Sequence, residues 1–241
     1  MGKRLKSQRR GKGSPTYVAK SHRYKTVSRF RAYDELEQRG TIRATVTEFI
    51  DDPSKRAIVM ALYYDNRDQA TVVAPEGIML GQVIDAGAHA AIALGNIVPV
   101  KNVPEGYYVC NIECTPGDGG KLARTPGSYC VVVARDEKEV QLRMPSRKIV
   151  AVSPDCRAIV GVVAGGGVLE QPLLKAGNQY HKKHAQNRYW PKGRGVKQSA
   201  YNHPHGGKEH HRGKSDMRSR GTPTGAKVGH IAASRVGRKN K

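Results

Sequence analysis

The sequence is poor in acidic, aromatic and cysteine residues. Its 241 residues include only 20 Asp and Glu, 2 Phe, 1 Trp and 4 Cys. No apolar run approaches the length of a membrane-spanning helix, so we expect no membrane partner. In contrast, 42 Lys and Arg give the chain a formal net charge of +22. A chain with so large a charge repels itself unless a polyanion neutralises it, which indicates nucleic acid as the partner.

The positive charge lies mainly at the two ends of the chain. Residues 1–33 carry 11 basic and 0 acidic side chains, and residues 171–241 carry 17 basic and 2 acidic ones. Residues 34–170 carry 14 basic and 18 acidic side chains, so this central segment is close to neutral. A near-neutral body between two basic arms is typical of a small folded module whose tails run along phosphates. We expect the arms to order only against the nucleic acid.

The cysteines all lie in the central segment, at Cys110, Cys114, Cys130 and Cys156. The charged first residues lack the apolar run of a secretion signal, so we expect reduced thiols in a cytosolic protein. The spacing Cys110-x-x-x-Cys114 is a weak metal signal, because the other two cysteines form no second close pair. We therefore interpret the cysteines as small hydrophobic residues of the core.

The central segment contains many short strand-like runs separated by turn residues. Residues 41–49 alternate apolar and polar side chains and are rich in β-branched residues, which predicts a half-buried strand. The other predicted strands are residues 57–64, 70–74, 89–94, 106–112, 128–135, 139–144 and 147–153. Short strands at this spacing, with no long helical period between them, predict a mainly β protein with two small β-barrels.

The composition also predicts how the chain is divided. We expect a basic N-terminal extension at residues 1–36 and a basic C-terminal extension at residues 171–241, both with little regular structure. The first barrel is predicted at residues 37–84 and the second at residues 85–170. The soft boundary between them falls where glycine interrupts the strand pattern.

Residues 115–124 form a glycine-rich loop with two cations, Lys121 and Arg124. This loop is not a nucleotide-binding P-loop, because Leu122 follows Lys121 where Ser or Thr is required. A plain β-turn explains part of the pattern. The two cations beside exposed glycine amides also predict a phosphate contact.

Residues 201–211 contain four histidines, which raises the question of a metal or catalytic site. Structural zinc usually takes at least two thiolates, and the nearest cysteine in sequence is Cys156. No nucleophile can be assigned to His203, and no cluster of carboxylates accompanies the histidines. A metal-assisted nuclease or transferase is therefore the weaker hypothesis, and we expect neither catalytic nor metal-binding residues. The preferred interpretation is a loop that approaches RNA closely, with histidines that donate hydrogen bonds to phosphates or base edges.

Several ordered motifs resemble the universal large-subunit ribosomal protein uL-two family, in its archaeal and eukaryotic form. The resemblance covers essentially the full length of the chain. The motifs are Ser21-His22-Arg23-Tyr24-Lys25, Ala74-Pro75-Glu76-Gly77, Asn111-x-Glu113-x-x-Pro116-Gly117-x-Gly119-Gly120-x-x-Ala123-Arg124, Cys156-Arg157-Ala158, Lys175-Ala176-Gly177, His203-Pro204-His205-Gly206-Gly207 and Val228-Gly229-x-Ile231-Ala232-x-x-Arg235-x-Gly237-Arg238.

The resemblance implies a fold, a set of partners, a function and a cellular location. It implies an oligonucleotide-binding-fold barrel followed by an SH3-like barrel, and a structural protein rather than an enzyme, without a cofactor. The implied partners are large-subunit ribosomal RNA, neighbouring ribosomal proteins and the small subunit through an intersubunit contact. The implied function is to support subunit association, tRNA binding and the peptidyl-transferase region of cytoplasmic ribosomes. A protein that compacts any nucleic acid is an alternative, and indiscriminate binding to duplexes would favour it.

The charge pattern and the resemblance together predict the RNA-binding residues. The resemblance implies a loop histidine at His203, an RNA-contacting arginine at Arg124 and a basic residue at Lys55 or Arg56. The full set is His22, Arg23, Lys25, Lys55, Arg56, Lys121, Arg124, Lys175, Arg194, His203, His205, Gly206 and Gly207. This chain departs from the family pattern at two positions, since Asn202 replaces an aspartate and Lys208 replaces a third glycine.

Overall fold

The computed structural model describes residues 3–15, 17–168, 170–207, 211–212 and 215–235. The chain divides into two compact units. One is Ser21–Pro172, and the other combines Met1–Lys20 with Leu173–Lys241. The described residues contain three α-helices, which are α1 (Lys6–Gly11), α2 (Glu35–Arg39) and α3 (Ala176–Ala185). None of the helices among these residues is long and apolar enough to cross a membrane.

The unit Ser21–Pro172 is built around one ten-stranded sheet. Its strands are β1 (Thr41–Ile50), β2 (Val59–Tyr64), β3 (Gln69–Val73), β4 (Val83–Gly87), β5 (Ile97–Pro99), β6 (Tyr108–Cys110), β7 (Cys130–Arg135), β8 (Val140–Arg143), β9 (Ile149–Val152) and β10 (Arg157–Val160). Their order across the sheet is β3-β2-β1-β4-β5-β10-β6-β7-β8-β9. Strands β4 and β5 pair in parallel and the other neighbours are antiparallel. The prediction of a mainly β protein is confirmed.

Alternation along the strands produces two hydrophobic cores. In β1, Ile42, Ala44 and Val46 are buried, as the period of two predicts, and they join a first core built mainly from β1 to β4. A second core gathers side chains of β6 to β10 with the turns between them. Cys110 lies in the first core, whereas Cys130 and Cys156 lie in the second. Strands β1 to β10 form one continuous sheet, and within the described residues its edge strands β3 and β9 do not pair to close it.

In the unit Ser21–Pro172 most predicted strands are present, but one predicted strand is wrong and three observed strands were not predicted. Residues 89–94 do not form a strand; they are a loop between β4 and β5. Gly95 takes a positive φ of 92° there, and its N–H donates to the carbonyl of Val160. The missed strands β4, β5 and β10 have three to five residues each, so they are too short to show a clear period of two.

The second unit has little regular structure apart from its helices. It contains a 3₁₀ turn at Gly195–Lys197 and the parallel two-residue strands β11 (Met217–Arg218) and β12 (His230–Ile231). Its N-terminal and C-terminal parts contact each other directly. The N–H of Lys3 donates to the carbonyl of Tyr201 at 3.0 Å, and the side-chain amide of Asn187 donates to the carbonyls of Pro15 and Val18, both at 2.8 Å. The described parts of the two basic ends therefore contact each other within this unit, which the composition did not predict.

Candidate nucleic-acid interface

The glycine-rich loop of residues 115–124 is organised by two carboxylates of its own segment. Glu113, which is fully buried, accepts hydrogen bonds from the N–H groups of Gly117 at 3.2 Å and Gly119 at 2.9 Å. Asp118 accepts from three further backbone N–H groups, those of Cys114, Thr115 and Gly120. Burial alone would raise the pKa of Asp118, but these hydrogen bonds and one from Lys121 outweigh it and hold the pKa below its usual value.

These contacts correct one prediction about the loop. The amides of Gly117, Gly119 and Gly120 point to protein carboxylates, so they are not exposed donors for a phosphate. All three glycines have φ between 82° and 86°, a region that L side chains rarely adopt. A Cβ on Gly120 would lie 2.6 Å from Oδ1 of the buried Asn111. The loop is thus held in one shape by the body of the protein, and its side chains are what it presents to a ligand.

A buried cluster of charges holds this loop against the rest of the unit Ser21–Pro172, which we call the sheet unit. The guanidinium of Arg157, which is 1% exposed, contacts Glu113 at 2.8 Å and Glu37 at 2.7 Å. Its Nη1 also donates to the carbonyl of Arg31 at 2.9 Å, and the aromatic rings of Phe30 and Tyr33 lie beside it. Buried charges are tolerated when each is paired and hydrogen-bonded, as here. The sequence contained no signal for this cluster, because its members are up to 126 residues apart.

Arg31 extends the cluster to the surface. Its Nε contacts Glu37 at 3.1 Å, and its Nη1 contacts Asp68 at 2.9 Å. It also pairs with Asp34, the N-cap of α2, whose side chain accepts from the N–H of Glu37. Residues 29–31, which we grouped with the N-terminal extension, therefore lie in the sheet unit, where Phe30 is buried in the first core.

Two of the predicted RNA-binding cations are used inside the protein. The guanidinium of Arg124 donates to the carbonyls of Gly120 at 3.0 Å and Ser28 at 2.9 Å. Its partial burial, together with the charge of Arg29, lowers its pKa from the usual value. Lys55 contacts the buried carboxylate of Asp52 at 2.8 Å. Both side chains shape the surface, and neither projects freely from it.

The Asp52 carboxylate connects Thr26, which follows the basic segment of residues 22–25, to the turn after β1 by hydrogen bonds. It accepts hydrogen bonds from the N–H and the hydroxyl of Thr26, each at 3.0 Å, and from the N–H of Ser54. The Nζ of Lys55 donates to the carbonyl of Thr26 at 2.6 Å. The predicted residues that remain exposed on this unit are His22, Arg23, Lys25, Arg56 and Lys121. Lys121 is 60% exposed and pairs with Asp118 at 3.2 Å.

The histidine loop of the second unit is closed by backbone hydrogen bonds. The N–H of Gly207 donates to the carbonyl of Gln198 at 3.2 Å, and the N–H of His203 donates to the carbonyl of Ser199 at 3.1 Å. A Cβ on Gly206 would lie 2.3 Å from the carbonyl oxygen of Gln198. Glycine is therefore needed at residue 206 for packing within the protein, whatever the loop binds. Lys175 and Arg194, two further predicted residues, are exposed on the same unit.

The geometry around His203 fixes its tautomer and disfavours a charged ring. Its Nδ1 accepts a hydrogen bond from the N–H of His205 at 3.1 Å, so the proton of the neutral ring is on Nε2. Burial and the neighbouring His205 lower the pKa of His203 below its usual value. The ring of His205 lies 3.6 Å from the carboxylate of Asp216, a carboxylate–histidine contact that the substitution at Asn202 did not predict.

No group of three or more His, Cys, Asp or Glu side chains within the described residues is arranged to hold a metal ion. His203 and His205 have ring centroids 5.0 Å apart. Lys208, Glu209, His210, Gly237 and Arg238 lie outside the described residues. The zinc hypothesis therefore gains no support from the described part of this loop.

The exposed cations, the preformed loops and the basic second unit define a nucleic-acid-binding protein. The sequence profile of the family described as Ribosomal Proteins L2, RNA binding N-terminal domain, matches residues 2–86. The profile described as Ribosomal Proteins L2, C-terminal domain, matches residues 93–225. The chain belongs to the ribosomal protein L2 family.

Curated relatives match the chain over almost its whole length. It is 46% identical over 240 residues to the large ribosomal subunit protein uL2 of Methanococcus maripaludis, which covers 99% of this chain and 100% of the relative. It is 43% identical over 239 residues to the protein of the same name from Methanopyrus kandleri, with 99% and 98% covered. The resemblance to the archaeal form of this family is confirmed.

Proposed function

We propose that this chain binds large-subunit ribosomal RNA as a structural component of the cytoplasmic ribosome, through exposed cations carried on preformed loops and on the second unit. The observation that carries this proposal is the charge distribution. Residues 171–241 carry 17 basic and 2 acidic side chains, whereas residues 34–170 carry 14 basic and 18 acidic ones. Cations that neutralise phosphates release condensed counterions, which supplies much of the free energy of RNA binding. The family is one of structural ribosomal proteins, and the chain acts without catalysis of its own.

The predicted residues then divide into two roles. Those that project from the surface are proposed to contact RNA directly: His22, Arg23, Lys25, Arg56, Lys121, Lys175 and Arg194. Lys55 and Arg124 are proposed to position the surrounding backbone, because their charged groups contact protein atoms. His203, His205, Gly206 and Gly207 are proposed to present a tightly closed loop that approaches RNA with little side-chain bulk.

The finer architecture and the further partners are also part of the proposal. Two hydrophobic cores support an oligonucleotide-binding-fold barrel at residues 37–84 and an SH3-like barrel at residues 85–170. The proposed extensions are residues 1–36, of which residues 29–31 pack on the sheet unit, and residues 171–241. The proposed partners other than RNA are neighbouring ribosomal proteins and the small subunit, which the chain would reach through an intersubunit contact. Support of subunit association, tRNA binding and the peptidyl-transferase region is the proposed consequence of RNA binding.

The salt dependence of binding to large-subunit RNA tests the role of the second unit. Four exposed cations of that unit are replaced by Gln: Lys175, Lys182, Arg188 and Lys192. The matched control replaces four exposed cations of the sheet unit that are not predicted to bind RNA: Arg39, Arg67, Arg135 and Lys138. The slope of log K against log salt is negative, and each lost phosphate contact makes it less steep by about 0.7–0.9. We therefore expect the magnitude of the slope to fall by about 3 for the first variant and to change little for the control.

The same filter-binding measurement separates the competing hypotheses. An equal slope for the first variant and the wild type would refute a role of the second unit in phosphate binding. Equal competition by an unrelated duplex would favour a protein that compacts any nucleic acid. Preferential binding to large-subunit RNA at high salt supports a specific ribosomal site.

A further inference from the structure

A row of outward-facing residues crosses three strands of the second half of the sheet. Tyr108 in β6 pairs with Val131 in β7, and Val131 pairs with Arg143 in β8. Successive side chains of a strand point to opposite faces, and the neighbours Cys130 and Leu142 are fully buried in the second core. Tyr108, Val131 and Arg143 therefore share the opposite, outer face.

A second tyrosine completes an aromatic pair on that face. Tyr129 precedes Val131 by two residues and so lies on the same side of the chain. The ring centroids of Tyr108 and Tyr129 are 4.6 Å apart, with an interplanar angle of 51°. Tyr108 is 50% exposed and Tyr129 is 40% exposed. Two large rings that contact each other and remain open to solvent are typical of a surface that receives a flat or apolar group of a partner.

The turn between β8 and β9 places cations beside these rings. The N–H of Arg147 donates to the carbonyl of Met144 at 2.8 Å, and the N–H of Met144 donates to the carbonyl of Lys148 at 2.9 Å. An open cleft of about 660 Å³ lies between this turn and the tyrosines. It is lined by Tyr108, Gly127, Ser128, Tyr129, Val131, Arg143, Met144, Pro145 and Arg147.

The electrostatics of the cleft specify an anionic ligand. Arg143 and Arg147 are exposed and, within the residues that the structure describes, neither forms an ion pair. No acidic side chain lines the cleft. A guanidinium matches the geometry of a phosphate, and a tyrosine ring matches the face of a base.

We propose that Tyr108, Tyr129, Arg143 and Arg147 form a binding site for one unpaired RNA nucleotide, with its base on the tyrosine pair and its phosphate on the arginines. The site rests on the proposed RNA-binding function and extends it to a surface that the basic arms and the loops do not include. A proline-rich peptide also packs on exposed aromatic rings. The unpaired arginines, without any acidic side chain beside them, favour the nucleotide.

Binding of the full chain to a single-stranded oligouridylate and to a fully paired RNA duplex tests the site. The test variant carries Tyr108→Ala and Tyr129→Ala, and a second variant carries Phe at both positions. The matched control is Tyr63→Ala, which removes a tyrosine of similar exposure, 42%, from β2. Because these side chains are exposed, all variants are expected to unfold at nearly the wild-type temperature.

The expected result is selective. The alanine variant should bind the oligouridylate about tenfold or more weakly, because it loses base stacking, and should bind the duplex as the wild type does. The phenylalanine variant and Tyr63→Ala should keep wild-type affinity for both RNAs. Arg143→Gln with Arg147→Gln should also weaken binding of the oligouridylate, because the phosphate partner is lost.

A second readout identifies the place of contact. Ultraviolet cross-linking of an oligouridylate that carries 4-thiouridine should join it to a peptide containing Tyr108 or Tyr129. Equal oligouridylate affinity of the alanine variant and the wild type would overturn the site, as would binding of a proline-rich peptide by the wild type but not by the alanine variant. Failure of the wild-type chain to bind the oligouridylate would also overturn the site, whereas failure to bind large-subunit ribosomal RNA in the filter assay would contradict the proposed function itself.

Discussion

Replacing Arg157 by Met tests whether the buried charge cluster holds the sheet unit together. The side chain of Arg157 is 1% exposed and contacts Glu113 and Glu37, which are also buried. Methionine fills a similar volume but leaves the carboxylate of Glu113 with backbone N–H partners alone. Breaking a buried ion pair in this way costs about 3–5 kcal/mol. We therefore expect a loss of about 4 kcal/mol from a total stability on the order of 5–15 kcal/mol.

Thermal unfolding of the full chain, followed by circular dichroism, measures this loss. A loss of 1 kcal/mol lowers Tm by about 2–4 °C in a protein of this size, so Arg157→Met should unfold about 8–16 °C below the wild type. The control is Arg135→Met, which removes an exposed arginine of β7 and should change the stability by about 0.5 kcal/mol or less.

The pH dependence of the same variant distinguishes an electrostatic loss from a loss of packing. Burial raises the pKa of Glu37 and the charge of Arg157 lowers it, so in Arg157→Met the Glu37 carboxyl should take up a proton more readily, which neutralises its buried charge. The difference in Tm from the wild type should therefore be greatest near neutral pH and should narrow in acid. The charges do not stabilise this part of the fold if the variant and the wild type differ in unfolding free energy by less than about 1 kcal/mol at neutral pH. A difference in unfolding free energy that does not change with pH would lead to the same conclusion.

Two further substitutions test the loops that flank the cluster. Gly120→Ala places a Cβ 2.6 Å from Asn111 at a φ of 86°, so urea unfolding should show that the free energy of unfolding falls by about 2 kcal/mol or more. The control Gly106→Ala, at a φ of 83° with no atom near its Cβ, should lower this free energy by only about 1 kcal/mol. Equal losses would contradict the steric explanation. Burial alone would raise the pKa of Asp52, but hydrogen bonds from Lys55 and its neighbours hold that pKa well below its usual value. This stabilisation is present above the unfolded pKa of roughly 3.9 and is lost as the pH falls below that value. Asp52→Asn should therefore lower the free energy of unfolding by about 2–3 kcal/mol at neutral pH and by progressively less in acid. A loss that stays constant with pH would refute the role of the Asp52 charge.

The buried cluster also explains how a near-neutral body supports the glycine-rich loop that we propose to contact RNA. Glu113 orients the glycine-rich loop, and Arg157 compensates its charge. The loop is therefore already shaped before RNA arrives, and binding does not have to order it. Some acidic residues of the body are used to build this loop, so the net charge of the body does not describe the charge of its surface.

The periodic strands were predictable, whereas the irregular segments between them were not. Strand β1 has ten residues and its burial alternates over the first six, and its predicted position is confirmed almost to the residue. Strand β10 has four residues that are all buried, so it shows no alternation from which a strand could be inferred. Its place in the sheet depends on pairing with β5 and β6, which are distant in sequence.

The predicted site residues differ in the same way. Their types and their basic surroundings follow from the sequence, because charge and motif spacing are local properties. Whether a cation is available to RNA depends on partners elsewhere in the chain: Arg124 donates to Ser28, 96 residues away, and Lys55 to Thr26, 29 residues away. No pattern around Arg124 or Lys55 shows these partners.

The sequence alone determined the family, the mainly β class and the two basic ends. These follow from the composition, from the alternation of apolar and polar residues with a period of two, and from the ordered motifs. All three are local properties that depend on residues close to one another in the sequence. The tertiary structure alone decided that Arg157 and Glu113 meet in the interior and that Tyr108 lies beside Tyr129 on the outer face. Both results depend on strand pairing, which brings together residues between 21 and 44 positions apart in the chain. The free energy of such contacts comes from burial and charge pairing in three dimensions.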